Sequence, residues 1–176
     1  MELHYRLEEE DFLTFQLYTA SKSPTIQRKK RQSHWVLTGS LAVLALLSFL
    51  RQEWGLGTYW GATAVLIGLF YPRYFRWRYK RHYLNHIREH YQNRIGLPST
   101  LSLEGTQLSA ADSVGSSQVE WSQVSHVNRL PNHWFIQLRS GVALLVPSSA
   151  VDNESAFLAV FTENEIPIEN HLNWNW

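Results

Sequence analysis

The chain has 176 residues, 44% of them hydrophobic and 14% aromatic, with a formal net charge of +1. It contains no cysteine, which excludes disulfides, thiolate metal sites and cysteine nucleophiles, and its near-zero total charge gives no ground for nucleic-acid binding. The mean hydropathy of −0.28 suggests a soluble protein only as an average, because two uncharged stretches depart from it.

Residues 1–33 form an N-terminal polar segment. Leu3, Tyr5 and Leu7 alternate, which is a short strand signal. Phe12, Phe15, Leu17 and Tyr18 follow at near-helical spacing, preceded by acids where the helix dipole favours them. Pro24 ends that helix, and the basic run Arg28, Lys29, Lys30 and Arg31 leads onward.

Residues 34–71 hold the two uncharged windows, His34–Leu50 and Trp54–Tyr71. Each is roughly 24–27 Å long as a helix, slightly short of the roughly 30 Å hydrocarbon core. Flanking aromatics and arginines make up the difference. Buried helices of soluble proteins seldom run uncharged on every face for this length. Only Arg51-Gln52-Glu53 separates the windows, so the expected arrangement is an antiparallel transmembrane hairpin. Basic residues crowd the outer ends: Lys22 and Arg28 to Arg31 before, and Arg73, Arg76, Arg78, Lys80 and Arg81 after. The tip carries Arg51 alone. The positive-inside rule then puts both termini in the cytoplasm. About 33 polar residues precede the first window, which is unlike a cleaved signal peptide.

Within a bilayer the hairpin needs close packing rather than hydrophobicity to hold it. Gly57, Gly61, Ala64 and Gly68 form a stripe of small residues on the second helix, and Thr38, Ala42 and Ala45 form one on the first. The two seams are expected to face each other; homodimerisation through Gly57 and Gly61 is the sharper alternative. Apart from His34 at its edge, neither window holds an acidic, basic or histidine side chain or an interior proline, which argues against a pore or proton relay.

Residues 72–97 read as a basic juxtamembrane helix after Pro72. Trp77, Leu84, Ile87, Tyr91 and Ile95 share one sector, and His82, His86 and His90 lie roughly opposite, on a solvated face. Two histidines four apart can chelate zinc, but a firm site needs three or four ligands. His82 and His90 would stand about 12 Å apart on a straight helix, so no metal and no other cofactor is expected. The run "PRYFRWRYKRH" alternates basic and aromatic residues. Beside a membrane its partner is the bilayer, whose anionic headgroups attract each basic side chain by about 1 kcal/mol. The membrane-interface set is Arg28, Lys29, Lys30, Arg31, Arg73, Arg76, Arg78, Lys80 and Arg81. Nucleic acid is not an expected partner.

Residues 98–165 change to period two. "TLSLEGTQLSA" reads as strand, Glu104-Gly105 turn and strand, "SVGSSQ" as a flexible hairpin loop, and "HWFIQLRSGVALLVP" as a hairpin turning at Ser140-Gly141. Asp152 or Asn153 caps a final helix with Phe157, Leu158 and Phe161 on one side. This gives a small antiparallel sheet closed by a C-terminal helix. No nucleophile elbow, phosphate loop or metal-protease pattern occurs. Glu120 and His126, six residues apart, make a poor acid–base pair, so no enzyme and no catalytic residue is expected.

The order of strand and helix, two-helix hairpin and basic helix, followed by "LSLEGTQL", "VEWSQVSHV", "HWFIQL", "ALLVPSSAV" and "FLAVF", resembles the YcxB-like family of small bacterial membrane proteins. Trp121 with Val124, and the Val146-Pro147-Ser148 exit into the last helix, are the most specific residues; they are packing and turn residues. The resemblance implies a multi-pass protein of the bacterial inner membrane with a cytosolic domain similar to a pleckstrin-homology (PH) domain, and it brings no catalytic residues. Residues 166–176, an aromatic tail ending "NWNW", go beyond the family pattern; Trp174 and Trp176 are candidates to touch the membrane interface or a partner. The expected fold class is therefore an α+β membrane protein: a transmembrane helical hairpin plus a PH-like sheet domain. The expected function is a non-enzymatic, membrane-anchored interaction module with a protein partner. The alternatives are an immunity-type protein that neutralises a membrane-active toxin, or an accessory subunit of a membrane complex.

Overall fold

The computed structural model describes residues 1–112 and 115–176. Among the described residues, four α-helices and two four-stranded sheets make an α+β fold. The chain divides into two compact units, Leu17–Tyr83 and the combination of Met1–Gln16 with Leu84–Trp176.

The first unit is a helical hairpin. Helix α1, Glu9–Lys22, ends in it, and α2, Pro24–Leu50, starts at once. Ser23 caps α2 by accepting the Ile26 N–H, and Pro24 sits in the first turn, where no backbone N–H is needed. The helix therefore begins ten residues before the apolar window. It stops at Arg51 because Gln52 turns left-handed, with φ of 62°. The Glu53 N–H then reaches the Ser48 carbonyl at 3.0 Å and the Gln52 N–H reaches Phe49 at 2.9 Å. These are the paired bonds of a Schellman motif, which satisfy carbonyls the helix end would otherwise orphan. Helix α3, Trp54–His90, then runs through Pro72 without a break. The second window and the basic segment are thus one helix of 37 residues, roughly 55 Å long. Proline removes one ladder bond, and the flanking residues keep the helix.

The second unit carries the sheets. Strands β1 (Glu2–Arg6), β2 (Pro98–Glu104), β3 (Gln107–Asp112) and β4 (Ser116–Glu120) form the first sheet in sequence order, all antiparallel. Leu3 pairs with Leu101, and Leu103 with Leu108, which puts their side chains in the core. The β2–β3 turn uses Gly105 at φ of 64°, a backbone position that glycine takes without a Cβ penalty. The expected serine loop falls partly on residues 113 and 114, outside the described residues; Ser116–Gln118 belong to β4.

A single 3₁₀ turn, Trp121–Gln123, ends the first sheet and starts the second. Its order is β7 (Ala143–Pro147), β6 (His133–Leu138), β5 (Val124–Arg129) and β8 (Ile168–Asn170). The expected single antiparallel sheet is therefore two sheets. Strands β5 to β7 are antiparallel, and β8 adds in parallel to β5. Helix α4, Glu154–Glu163, is capped by Asn153, which accepts the Ala156 N–H at 3.0 Å. It lays Phe157 and Phe161 edge-on against Trp134 and Trp121, with ring centroids 5.3 and 5.9 Å apart. A second Schellman motif, with Glu165 left-handed, ends α4 and delivers Ile166 to the core.

Strand β6 is buried on both faces. Trp134 and Ile136 belong to the core under α4. On the opposite face, α1 lays Phe15 edge-on against Phe135 at 5.3 Å, and Phe12 meets Tyr91 beyond the end of α3 at 5.1 Å. The N-terminal strand and the first turns of α1 are thus parts of the sheet unit.

Candidate functional site

In the helical unit the small-residue stripes meet. A Cβ on Gly61 would stand 4.0 Å from that of Ala45, and one on Gly68 would stand 3.7 Å from Thr38 Cγ2. Ala45 and Ala64 are buried. Gly57 sits under the Phe49 ring so closely that an added Cβ would fall 2.6 Å from it. The stripe of Gly57, Gly61, Ala64 and Gly68 therefore faces α2, leaving other faces of the hairpin outward. Thr38 brings a cost: its buried Oγ1 has no hydrogen-bond partner among the described residues.

Those outward faces are apolar. Trp35 is 70% exposed, Leu46 59% and Leu69 71%. Helix α2 is long and apolar enough to cross a membrane, with a mean hydropathy of 1.7 over its best 18-residue window and 6% of that window buried. Helix α3 does not pass the same test. Its window spends many positions on glycine, threonine, tyrosine and tryptophan, which lower the average while serving the seam and the flanks.

The basic residues cluster at the open end of the hairpin. Arg28, Lys29, Arg31, Arg73, Arg76, Arg78, Lys80 and Arg81 are exposed, and Lys30 is half-buried with its ammonium 5.7 Å above the Phe75 ring. Aromatic rings tie the two helices there: His34 stacks on Tyr71 at 5.1 Å and 7°, and the Ser33 and Tyr71 hydroxyls meet at 2.5 Å. Trp77 departs from the apolar stripe expected of this helix. It is 57% exposed, with Arg81 over its ring at 5.6 Å.

His82 and His90 are exposed and His86 is half-exposed. His86 and His90 stand 4.2 Å apart, and His90 Nδ1 lies 3.0 Å from the His86 carbonyl. Among the described residues no group of three potential ligands surrounds a metal position. Glu120 and His126 are each engaged locally: Glu120 accepts from the Ser122 hydroxyl at 3.2 Å, and His126 Nδ1 lies 3.1 Å from Ser125 Oγ.

The sheet unit presents two open places. One is a groove of about 560 Å³ beside edge strand β7, lined by Val142, Ala143 and Leu144 and by Ser116 and Ser117 of edge strand β4. The other is a polar cleft of about 710 Å³ whose wall contains a buried pair invisible to local sequence patterns. His133 Nε2 lies 2.7 Å from Asp11 Oδ1, across 122 positions of sequence. The other carboxylate oxygen, Oδ2, accepts the Glu8 N–H at 2.7 Å and so caps α1. Burial opposes the Asp11 charge, but the His133 hydrogen bond, the Glu8 amide and the His133 charge together hold its pKa below the ordinary value. A second tie is the fork of Arg88 on Glu9, at 2.9 and 2.8 Å. The Arg88 hydrogen bond lowers the Glu9 pKa. Sequence reading missed both ties. The acids of α1 and the alternation in "HWFIQL" were legible, but nothing local couples them.

Of the basic side chains between Thr100 and Val151, Arg129 is consumed by Glu154 and by the Trp134 ring at 5.2 Å. The C-terminal tail is partly structured, with β8 against β5 and Trp174 in the wall of the polar cleft.

No curated protein and no solved structure matches the chain. The two-sheet core built on Trp121, Val124 and the β7 exit is where a family match lies: residues 106–160 match the model of the family described as YcxB-like protein.

Proposed function

We propose that the chain is a non-enzymatic, membrane-anchored interaction module. Helices α2 and α3 cross the bacterial cytoplasmic membrane as a pair. Both termini lie in the cytoplasm, where the sheet unit, read as PH-like, receives a protein partner along an open strand edge. The observation that carries the anchor is the apolar surface of the hairpin, where Trp35, Leu46, Leu50, Val65 and Leu69 are each more than half exposed. Soluble monomers rarely tolerate a contiguous apolar surface beyond a few hundred Å². The second span is supported by the seam that seats α3 on α2 and by the basic residues at both outer ends, which the positive-inside rule places in the cytoplasm. The partner reading is supported by the exposed edge strand β4 and by the groove beside β7. An extended segment adds to such an edge through backbone hydrogen bonds.

Alkaline extraction of cell membranes and a reporter fused to each terminus test the anchor. The chain should stay in the pellet, with both reporters active only in the cytoplasm; a periplasmic reporter or a chain released by carbonate overturns it. A photo-crosslinking side chain at Val142 should give one discrete adduct in intact membranes, and a ladder or no adduct overturns the partner reading.

A further inference from the structure

We infer that the open end of the hairpin holds a binding site for the phosphodiester headgroup of an anionic phospholipid. The inference rests on the membrane-anchor reading and adds a ligand to it. A cleft of about 660 Å³ opens between α2 and α3, within the size range of small-molecule sites. Helix α2 lines it with Lys29, Gln32 and Ser33, and α3 with Arg78, Tyr79 and His82. Val36 and Phe75 supply an apolar wall.

The chemistry of this lining is one-sided. It offers an ammonium, a guanidinium fork, hydroxyls and an amide, and no carboxylate. From Lys22 to Arg88 the only acidic residue is Glu53, at the hairpin tip. Helix α2 holds no acid and α3 only Glu89, eleven positions beyond Arg78, so no acid of these helices lines the cleft and an anion from outside can answer its charge. A guanidinium matches two phosphate oxygens in its own plane, and an ammonium adds a point charge. The walls are pinned by other contacts: the Ser33–Tyr71 hydroxyl pair at 2.5 Å, the Phe75–Tyr79 stack at 4.2 Å, and a long Arg78 to Tyr74 hydroxyl contact at 3.5 Å. The cleft is thus preorganised, and its cationic groups remain exposed.

Inorganic phosphate shares this chemistry, but the surroundings favour a lipid. Along the same two helices the surface turns apolar at once, with Trp35 70% exposed and Phe70 59%. A headgroup in the cleft leaves its acyl chains on that surface, which free phosphate cannot use.

The full chain in neutral detergent can be titrated with phosphatidylglycerol, phosphatidylcholine and inorganic phosphate, with bound adducts counted by native mass spectrometry. Phosphatidylglycerol should bind at least about tenfold more tightly than phosphatidylcholine. The double variant K29Q/R78Q should lose about thirtyfold, for two cationic contacts of about 1 kcal/mol each. The control R51Q/R139Q removes the same charge outside the cleft and outside the basic cluster, and should stay within about twofold of wild type. All four positions are exposed, and circular dichroism checks that each variant keeps its helices. Equal losses in the two double variants would reduce the site to diffuse attraction and overturn it. Equal binding of the two lipids would also overturn it, and phosphate binding as tight as phosphatidylglycerol would reassign it to a free anion. A chain that resists alkaline extraction yet shows no lipid preference sinks only the headgroup site, whereas a chain released by alkali sinks the anchor.

Discussion

The Asp11–His133 pair gives the sharpest test of how the N-terminal helix belongs to the sheet unit. The side chains are 16% and 11% exposed, so little water is available to replace a lost partner. Removing one member of a buried pair typically costs about 3–5 kcal/mol; residual exposure puts Asp11→Ala nearer about 2–3 kcal/mol, including the lost cap on the Glu8 N–H. Asp11→Asn keeps one acceptor oxygen, enough for the Glu8 N–H, and turns an amide NH2 toward His133 in place of the charged acceptor, so its cost should fall to about 1–2 kcal/mol. With a denaturant slope of about 1–3 kcal/mol per molar urea, Asp11→Ala moves the midpoint by on the order of 1 M in the micelle-bound full chain, read by near-ultraviolet circular dichroism. The pH dependence has a definite sign. The folded carboxyl has a lowered pKa, so its contribution is present above the unfolded value of about 3.9 and is lost as pH falls through the lower folded value. The gap between wild type and Asp11→Asn should therefore narrow below about pH 4. Combining Asp11→Asn with His133→Phe should give a coupling of at least about 1 kcal/mol. Additive losses, or an Asp11→Ala cost under about 0.5 kcal/mol, would show that the 2.7 Å contact does not hold α1 to the sheet.

The hairpin seam separates its glycines. Gly57→Leu drives a branched side chain into the Phe49 ring and should lower the melting temperature in micelles, at about 1–3 kcal/mol of overpacking, while Gly61→Ala, whose nearest neighbour is 4.0 Å away, should leave it unchanged. Thr38→Val keeps the methyl that meets Gly68 and deletes an unsatisfied hydroxyl, so the same melt should rise or hold; a drop would mean that the hydroxyl has a partner in the bilayer. Phe157→Ala empties a fully buried site between Trp134 and Phe161, at a cost of about 3–5 kcal/mol by urea denaturation. Glu9→Gln, in an exposed fork with Arg88, should leave the midpoint in the same assay close to that of wild type, because solvent screens such a pair.

The parts of the fold that follow from local rules were readable. The seam could be placed because small residues recur at helical spacing, and a cap at Asp152 or Asn153 because they precede an amphipathic run; the structure uses Asn153. The Glu104-Gly105 and Ser140-Gly141 turns stood out because glycine punctuates alternating strands. What escaped were decisions made between distant segments. Leu3, Tyr5 and Leu7 announce a strand but not its partner, and β1 finds β2 some hundred positions away. The split into two sheets depends on Trp121, whose indole N–H reaches the Gly105 carbonyl at 3.0 Å. Trp121 also opens the 3₁₀ turn, Trp121–Gln123, at which the chain passes from one sheet to the other. Strand β8 forms because the second Schellman motif aims Ile166 inward and lines Ile168 up beside Val127, a geometric outcome no composition reveals. Pro72 misled in the opposite direction: it reads as a boundary and lies inside one helix.

The net charge of +1 conceals a segregation that bears on where lipid and protein should bind. Of the sixteen Lys and Arg, twelve fall between Lys22 and Arg88, where Glu53 is the only acid. Outside that span, four basic residues stand against fourteen acids. An anionic leaflet attracts the first population and repels the second, within a Debye length of about 8 Å at physiological salt. The sheet unit is thus a poor headgroup receptor, the more so because Arg129 is already committed to Glu154 and Trp134. On the proposed reading, headgroup capture falls to the hairpin base. The sheets' acidic surroundings and open edges suit a protein partner with a basic or neutral extended segment. If that division holds, raising the ionic strength should weaken phosphatidylglycerol binding at the Lys29–Arg78 cleft. The Val142 adduct, which depends on backbone pairing, should form with undiminished yield. Loss of both together at high salt would mean that one electrostatic contact with the membrane underlies the two.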